Sequence, residues 1–398
     1  MQKPLLSLLL LHTIHVVCAQ EYQITISAGD YERRSMPVEV KIEQSLDKNK
    51  QYTLINKKTG KRTAVQQLND NTIVFILPDV IAANQSSSYT LTASSKKTTN
   101  AVSIVEGNGQ LKVLSYNKPV FIYHTNIVSP PADSPSYYQR SGFIHPLYSP
   151  NGAILSDDFP AGHAHQHGLF ASWTNTTFKN EFVDFWNQHL QKGTVEHIKV
   201  LSKQEGPVCA RMDLLLRYKS LKFGEVLREQ WTITVYPFSD YFLFDLKSEQ
   251  TNTSTDTLYL NKYHYGGMAF RGSRSWNPDD KKYFQGNWNV LTNEGIRDSA
   301  ANHTHVKWVD VSGKIGKLNA GVTIFDHPSN FRYPQAIRVH PKIPYWTYAP
   351  VVDGAFTIDP GKKYYAQFRY YVHNGTPDIR GIERMEKDYS KPPLITVK

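Results

Sequence analysis

The chain of 398 residues carries 45 Lys and Arg against 35 Asp and Glu, for a formal net charge of +10, and 40% of its residues are hydrophobic. That content, with 24 Tyr, 18 Phe and 7 Trp, excludes an intrinsically disordered chain, because enough apolar surface is present to offset the entropy lost on folding. A disulfide scaffold is also excluded, since Cys18 lies in a leader and leaves Cys209 as the single cysteine of the mature chain.

The first 19 residues have the pattern of a secretory signal. Lys3 supplies the positive start, Leu5 to Leu11 form a short apolar core, and cleavage is expected near Ala19. Lipidation at Cys18 is the alternative. No later run approaches about 18 apolar residues, so we predict a periplasmic or secreted protein with no transmembrane segment.

Residues 20–106 predict a small N-terminal β-sandwich. Short alternating runs at 22–26, 38–42, 72–76 and 89–92 are separated by turn residues, as in antiparallel sandwiches. This region contains no histidine and no tryptophan, so it offers few groups that titrate near neutral pH. We expect it to support the rest of the chain or to assist recognition.

Residues 107–398 predict a large antiparallel β-sandwich that carries the chemistry. Runs at 214–218, 231–236, 241–246 and 364–372 are strand-like, and a short helix is expected near 181–190. Parallel βαβ units are missing from the pattern, which favours an all-β fold with two large stacked sheets.

The densest polar feature is the histidine-rich segment 157–168. In an extended chain His163, His165 and His167 would share one face, about 6 to 7 Å apart. They could act as acid and base, orient a carbonyl or hold a divalent metal, and Asp157 and Asp158 could fix a histidine tautomer. A solvated polar loop is the alternative.

A second feature is the run Tyr263-His264-Tyr265, which precedes two glycines and leads to Arg271. Glycines let the backbone bend, so the phenols and the imidazole could face a cleft. The planar guanidinium of Arg271 suits a carboxylate or a sulfate. Core packing of the tyrosines is the alternative.

Further substrate-binding candidates lie in loops. The proline-bounded stretch 325–334 should display His327 and Arg332, and the stretch 140–146 contains Arg140 and His145. A turn capped by Asp and Asn side chains is the alternative for the first stretch.

Six blocks of the sequence together resemble the PmoA-like family of exported Bacteroidota proteins. They include Arg140-Ser-Gly-Phe-Ile-His-Pro, Asp157-Asp-Phe-Pro and Gly321-Val-Thr-Ile-Phe-Asp-His-Pro, and they lie at 140–150, 157–168, 263–271, 308–313, 321–330 and 370–375. The resemblance implies saccharide utilisation and a large β-sandwich like those of sugar epimerases and polysaccharide lyases. A methane-oxygenase function is implausible without spanning segments. The family has Arg at the position of His167, which weakens a three-histidine metal site and leaves His163 and His165 as the essential pair, with a divalent metal there still an option.

The residues and the resemblance together predict an enzyme that acts on acidic oligosaccharides, such as those of ulvan, by elimination. Elimination beside a carboxylate needs a cation, a base and an acid. The candidates are Arg271 and Arg332 for the cation, His165 and Tyr263 for the base, and His163 and His264 for the acid. The alternatives are a glycoside hydrolase or epimerase using Asp326 or Glu229, and a non-catalytic glycan-binding protein. We predict no nucleic-acid partner.

Overall fold

The computed structural model describes residues 21–96, 98–286 and 288–398, so the predicted signal segment, with Cys18 and Ala19, lies outside the described residues. Within them the strands are β1 (Tyr22–Ser27), β2 (Pro37–Lys41), β3 (Gln51–Asn56), β4 (Arg62–Ala64), β5 (Gln66–Asn69), β6 (Thr72–Ile76), β7 (Ser86–Ser94), β8 (Val102–Gly107), β9 (Gln110–Ser115), β10 (Lys118–His124), β11 (Ile144–Leu147), β12 (Leu169–Ser172), β13 (Thr176–Phe178), β14 (Glu181–Val183), β15 (Gly193–Gln204), β16 (Ala210–Ser220), β17 (Gly224–Tyr236), β18 (Phe242–Asn252), β19 (Leu258–Leu260), β20 (Gly267–Arg271), β21 (Trp288–Thr292), β22 (Trp308–Ile315), β23 (Leu318–Phe325), β24 (Ile337–Val339), β25 (Tyr345–Tyr348), β26 (Phe356–Ile358), β27 (Lys363–Asn374) and β28 (Leu394–Val397). The α-helix in this part of the chain is α1 (Ile379–Ser390), and short 3-10 helices lie at Ser136–Tyr138, Gln188–Leu190, Arg274–Trp276, Asp298–Ala301 and Pro350–Val352.

Two eight-stranded antiparallel sheets form the body of the protein. The first has the order β24-β25-β20-β12-β11-β10-β9-β8, and the second has the order β15-β16-β17-β18-β27-β23-β22-β21. Their inner faces share one hydrophobic core, in which Phe121 of β10 meets Phe244 of β18 with ring centroids 5.3 Å apart. A four-stranded sheet, β14-β13-β19-β26, adds side chains to the same core. The predicted all-β fold of stacked antiparallel sheets is confirmed.

Alternation of buried and partly exposed side chains explains why these segments form strands. In β16 every second residue is buried, as expected for a strand with one face on a core. The predicted runs at 214–218, 231–236, 241–246 and 364–372 fall within β16, β17, β18 and β27 or within one residue of them.

The N-terminal strands form a smaller sandwich with its own core. The five-stranded sheet β28-β1-β7-β3-β4 packs on the three-stranded sheet β2-β6-β5 around buried residues such as Ile24 and Phe75. The C-terminal strand belongs to this sheet, because Val397 of β28 pairs with Ile24 of β1. Strand β8 already pairs in the large sheet. The division of the chain at residues 106 and 107 stays a prediction.

The helix predicted near 181–190 was wrong. Residues 181–183 pair with β13, and Asp184 Oδ1 then accepts the backbone amides of Trp186 (2.8 Å) and Asn187 (2.7 Å), which turns the chain away from helical continuation. The helix α1 was missed because its apolar stripe is short and lies among many charged residues. No helix within the described ranges has the length and apolar character needed to cross a bilayer.

Two ion pairs between β18 and β27 differ in burial. Arg369 donates to both carboxylate oxygens of Asp245, at 2.7 and 2.8 Å, and both residues are buried. The exposed Lys363 pairs with Glu249 at 2.8 Å. The Arg369 guanidinium also lies over the ring of Tyr389 in α1, 4.5 Å from its centroid, so the buried pair ties the helix to the large sheet.

Candidate active site

The histidine-rich segment 157–168 folds as a turn. Its ends are anchored, since the Asp157 amide donates to the Arg271 carbonyl at 3.1 Å and the Gly168 amide donates to the Asp157 carbonyl at 2.7 Å. Between these anchors Gly162 has a φ of +80°, and a Cβ there would lie 2.7 Å from a carboxylate oxygen, so both the backbone and the available space require glycine. The predicted extended run of three histidines on one face was therefore wrong.

The turn brings two of the three histidines together and removes the third. The ring centroids of His163 and His165 are 5.8 Å apart and both side chains are half-buried. His167 is fully buried instead. His163 and His165, which the sequence analysis favoured as the essential pair, are therefore adjacent and both partly accessible to solvent.

Two further histidines from distant segments extend this pair into a row. His340, just after β24, lies 5.9 Å from His163 between ring centroids, and His189, in the 3-10 helix Gln188–Leu190, lies 5.7 Å from His165. We call His340, His163, His165 and His189 the imidazole row. The sequence analysis missed its two ends, because neither His189 nor His340 has a neighbour in the sequence that indicates a site.

His163, His165 and His340 have lowered pKa values, which favours their neutral forms. Burial, followed by the neighbouring imidazoles, lowers the pKa of His165 to about 3, and burial with the Arg338 guanidinium lowers the pKa of His340 to about 4. Burial also lowers the pKa of His163, whose Nδ1 has no hydrogen-bond partner among the described residues. His340 Nδ1 accepts the backbone amides of residues 342 and 343, both at 3.2 Å, so the proton of this imidazole is on Nε2.

A buried guanidinium accompanies the row. Arg271 at the end of β20 is fully buried, and its Nη1 donates to Gln166 Oε1 at 3.0 Å, while Nε and Nη2 have no partner in the described parts of the chain. Burial lowers the pKa of Arg271 to about 10, against the charges of Asp157 and Asp279. Burial likewise raises the pKa of Asp157 to about 6, although Arg271 opposes the rise. Because no ion pair of Arg271 lies within the described ranges, its positive field remains available to a ligand.

His167 and Asp158 form a buried pair beneath the turn. His167 Nδ1 lies 2.6 Å from Asp158 Oδ1, and Nε2 lies 3.3 Å from Gln188 Oε1. The Gln188 amide nitrogen donates to the Gln139 carbonyl at 2.8 Å, so its oxygen must face the histidine. Both ring nitrogens therefore face oxygens. Burial raises the pKa of Asp158 to about 7, which favours a neutral carboxyl that donates to a neutral His167. The pair positions the turn.

The run at 263–265 places one aromatic residue at the site. Tyr263 packs against the main core and His264 is exposed, with its pKa lowered by burial and by the Arg338 guanidinium. Tyr265 exchanges hydrogen bonds of 2.9 and 3.1 Å with the side chain of Asn187, next to the 3-10 helix that carries one end of the row. No ring contact recorded for the described residues joins His264 to the row.

Two other predicted binding residues lie near the turn but differ in access. Arg140 is buried, with its guanidinium over the Phe170 ring at 5.1 Å and Nη2 donating to the Ala171 carbonyl at 2.9 Å, so it does not present its charge to solvent. His145 lines a cleft, and its Nδ1 lies 2.9 Å from Ser156 Oγ. Burial lowers the pKa of His145 to about 4.

His327 and Arg332 are not brought to the row. The His327 ring packs against Tyr389 of α1, with centroids 4.8 Å apart. Arg332 donates to the carbonyls of Pro350 and Gly354 at 2.5 and 2.7 Å, so it holds a loop. These contacts direct His327 and Arg332 away from the imidazole row, although the sequence analysis had assigned both to substrate binding.

The carboxylates considered for hydrolysis, Glu229 and Asp326, are both buried in protein. Glu229 accepts from Ser248 Oγ at 2.5 Å and from Gln250 Nε2 at 3.1 Å. Asp326 accepts from Asn330 Nδ2 at 2.6 Å and caps the loop. Both carboxylates therefore hold neighbouring segments of the fold together through hydrogen bonds.

A divalent metal at His163 and His165 would need ligands beyond these two. The described residues contain no group of three or more His, Cys, Asp or Glu side chains that could hold a metal ion. The imidazole row is extended, with successive rings nearly 6 Å apart, whereas metal ligands must converge on one point.

Residues 110–386 match the sequence pattern of DUF6807, a family of unknown function. The chain belongs to this family. The matched range of the DUF6807 chain contains the whole imidazole row and Arg271. No curated protein matches the sequence.

Solved structures resemble the DUF6807 chain in strand arrangement. An alpha-mannosidase from Enterococcus faecalis is 10% identical with a TM-score of 0.46, over 95% of this chain and 46% of its own. An alpha-galactosidase from Geobacillus stearothermophilus is 9% identical (TM-score 0.34; 69% of this chain, 40% of its own). A galactose mutarotase related enzyme from Lactobacillus acidophilus is 10% identical (TM-score 0.28; 70% and 98%). The chain spans less than half of the first two proteins, and these scores are too low to support an inference about activity.

Proposed function

We propose that this protein is an exported carbohydrate-active enzyme that degrades acidic oligosaccharides by elimination, as a dehydratase or lyase. One observation carries the proposal: four imidazoles form a row beside a buried guanidinium that lacks a carboxylate partner within the described residues. A neutral imidazole accepts a proton and a protonated one donates it, and an unpaired guanidinium favours a bound anion. A sugar with a carboxylate next to the reacting carbon matches both features.

The roles follow from access and charge. His165, in its neutral form, takes the proton from the carbon next to the carboxylate. His163, protonated once the anionic substrate is bound, gives its proton to the leaving oxygen and becomes neutral, so the carbon–oxygen bond breaks and a carbon–carbon double bond forms. Arg271 is buried and stabilises the developing enolate through its field, which is strong in a low-dielectric wall. Arg338 is half-buried and its charge lowers the pKa of His340, so it too favours a bound carboxylate at that end of the row.

The lowered pKa values of His165 and His340 suit an anionic substrate. An imidazole with a pKa of about 3 is a weak base in the empty protein. A bound carboxylate raises the pKa of adjacent imidazoles, because the negative charge favours their protonated form. Substrate binding therefore moves His165 toward the basicity that proton abstraction requires.

Hydrolysis is the second candidate, and Asp157 is the observation that favours it. A buried carboxyl with a pKa raised to about 6 retains its proton at mildly acidic pH, where it can serve as the general acid that glycoside hydrolysis requires. The exposed carboxylate of Asp279, which lies close to Gly162 of the turn that begins at Asp157, would then activate water.

The test is incubation of the purified protein with a panel of uronate- and sulfate-bearing oligosaccharides, followed by mass spectrometry and ultraviolet absorbance. Dehydration removes the mass of water, hydrolysis adds it, and lytic cleavage conserves total mass while creating an absorbing double bond. His165→Ala should lower the rate by about 10²- to 10⁴-fold, the usual contribution of a general base. His327→Ala is the matched control, since this half-buried imidazole contacts α1 instead of the row.

Elimination is refuted if the products gain water or if His165→Ala forms product at the wild-type rate. A gain of water that Asp157→Asn abolishes would support hydrolysis. Binding without any product would support the glycan-binding alternative.

The resemblance to the PmoA-like family supports the wider setting of this proposal. That resemblance implies exported saccharide-utilisation proteins, and we propose acidic glycans such as ulvan as the source of substrate. A test is whether the purified protein acts on oligosaccharides released from ulvan in preference to neutral ones.

A further inference from the structure

A separate cavity adjoins the turn that carries His163 and His165. Its volume is about 620 Å³, within the range of about 300–1,000 Å³ that is typical of small-molecule sites. Its lining includes Asp157 at the start of the turn and Leu318 at the start of β23, and none of the four residues of the imidazole row belongs to it. Nothing in the elimination proposal uses this space.

The guanidinium that lines the cavity, that of Arg274, is already paired with a carboxylate. Arg274 donates to Asp280 Oδ2 from Nη2 at 2.9 Å, and its guanidinium lies over the Tyr283 ring, 3.7 Å from the centroid. All three residues line the cavity. The row side differs, because Arg271 has only the uncharged Gln166 as a side-chain hydrogen-bond partner. An acidic group is therefore favoured at the row and a neutral group in the cavity.

The cavity wall contains unused hydrogen-bonding groups that match a hydroxyl. Asp157 Oδ2 is buried and has no partner within the described residues, which costs roughly 1–3 kcal/mol unless a ligand supplies one. Ser156 Oγ accepts the Leu147 amide at 2.9 Å and lies 2.9 Å from His145 Nδ1, which leaves His145 Nε2 for a ligand. A carboxylate oxygen and an imidazole nitrogen on one wall complement sugar hydroxyls, which both donate and accept.

Asp157 joins the two sites. It lines the cavity, and its carboxyl interacts electrostatically with both Arg271 beside the row and Arg274 in the cavity. The cavity and Arg271 therefore lie close to the same carboxyl.

We propose that this cavity binds a neutral sugar unit next to the acidic unit at the imidazole row, so that the substrate is an acidic oligosaccharide of at least two units. The proposal rests on the proposed function for the assignment of the acidic unit to the row. It adds a binding site for the neighbouring unit and a minimum substrate length.

The test compares the binding of free glucuronate with that of disaccharides of glucuronate and a neutral sugar, by calorimetry on the His165→Ala protein so that no ligand is consumed. The disaccharide should bind at least about tenfold more tightly, equivalent to about 1.4 kcal/mol. Leu318→Trp places an indole in the cavity and should abolish this advantage while leaving the affinity for glucuronate unchanged. Leu394→Trp is the matched control, an exposed leucine that also begins a strand.

Equal affinities for glucuronate and the disaccharides, or a disaccharide affinity that Leu318→Trp leaves unchanged, would overturn the neutral-sugar site. Failure of the proposed function is a different result. In that case the wild-type protein forms no new product from any saccharide, although binding still depends on the cavity.

Discussion

The Asp157 carboxyl should make the stability of this protein depend on pH. Burial is the largest cause that raises its pKa, from an ordinary value of 3.8 to about 6, and the Arg271 and Arg274 guanidinium groups only partly oppose it. This rise corresponds to about 3 kcal/mol in the free energy of unfolding at 1.36 kcal/mol per pKa unit. The side chain is nearly inaccessible to solvent, so solvent screening removes little of that energy.

The direction follows from the raised pKa. The folded protein holds the Asp157 proton more tightly than the unfolded chain, so the stabilising contribution is complete below pH 3.8 and is lost as the pH rises through about 6. Asp157→Asn keeps a neutral side chain of similar size at every pH. The free energy of unfolding of the variant, relative to wild type, should therefore rise by about 3 kcal/mol between about pH 4 and about pH 7.

Urea unfolding of both proteins across this pH range measures the difference. Other buried carboxyls, such as Asp326 with its pKa raised to about 7, are present in both proteins and cancel in the comparison. The absolute stability of the variant also reflects the hydrogen bonds of the new amide, so the change with pH is the decisive quantity. A difference that is constant with pH, or that moves in favour of wild type, would refute the reasoning.

Two further predictions concern the fold. Arg369→Met breaks a buried ion pair and should cost about 3–5 kcal/mol in urea unfolding, whereas Lys363→Met on the same strand should cost less than about 1 kcal/mol; equal losses would contradict the role of burial. Gly168→Ala should cost more than Gly152→Ala, although both have positive φ, because a Cβ at Gly168 would overlap the backbone oxygen of Ile144 and one at Gly152 meets open space. Equal thermal shifts for these two variants would show that backbone strain alone matters.

The sequence predicted the strands well because each strand repeats a local rule. A strand with one face on a core must alternate, and the runs at 214–218 and 22–26 do so within a few residues of chain. The same local reading missed the helix α1, because Ile382, Met385 and Tyr389 form too narrow an apolar stripe to stand out from the charged residues around them.

The candidate site was predicted in part. His163 and His165 are close in the chain, so their proximity could be inferred, and Arg271 was noted for its planar guanidinium. The prediction that His167 belongs with them failed because a turn at Gly162, which the sequence allows but does not specify, directs its ring into the interior. A glycine permits a positive φ without requiring it.

The amino-acid pattern by itself determined an all-β chain whose histidines beyond the leader lie in residues 107–398, because alternation and composition are local properties. The tertiary structure alone decided which of those groups meet. His340 reaches His163 from more than 170 positions away through the pairing of β24, β25, β20 and β12. Arg332 is used to hold a loop, and Arg140 is covered by Phe170. Such long-range contacts depend on sheet order, which no short stretch of sequence specifies.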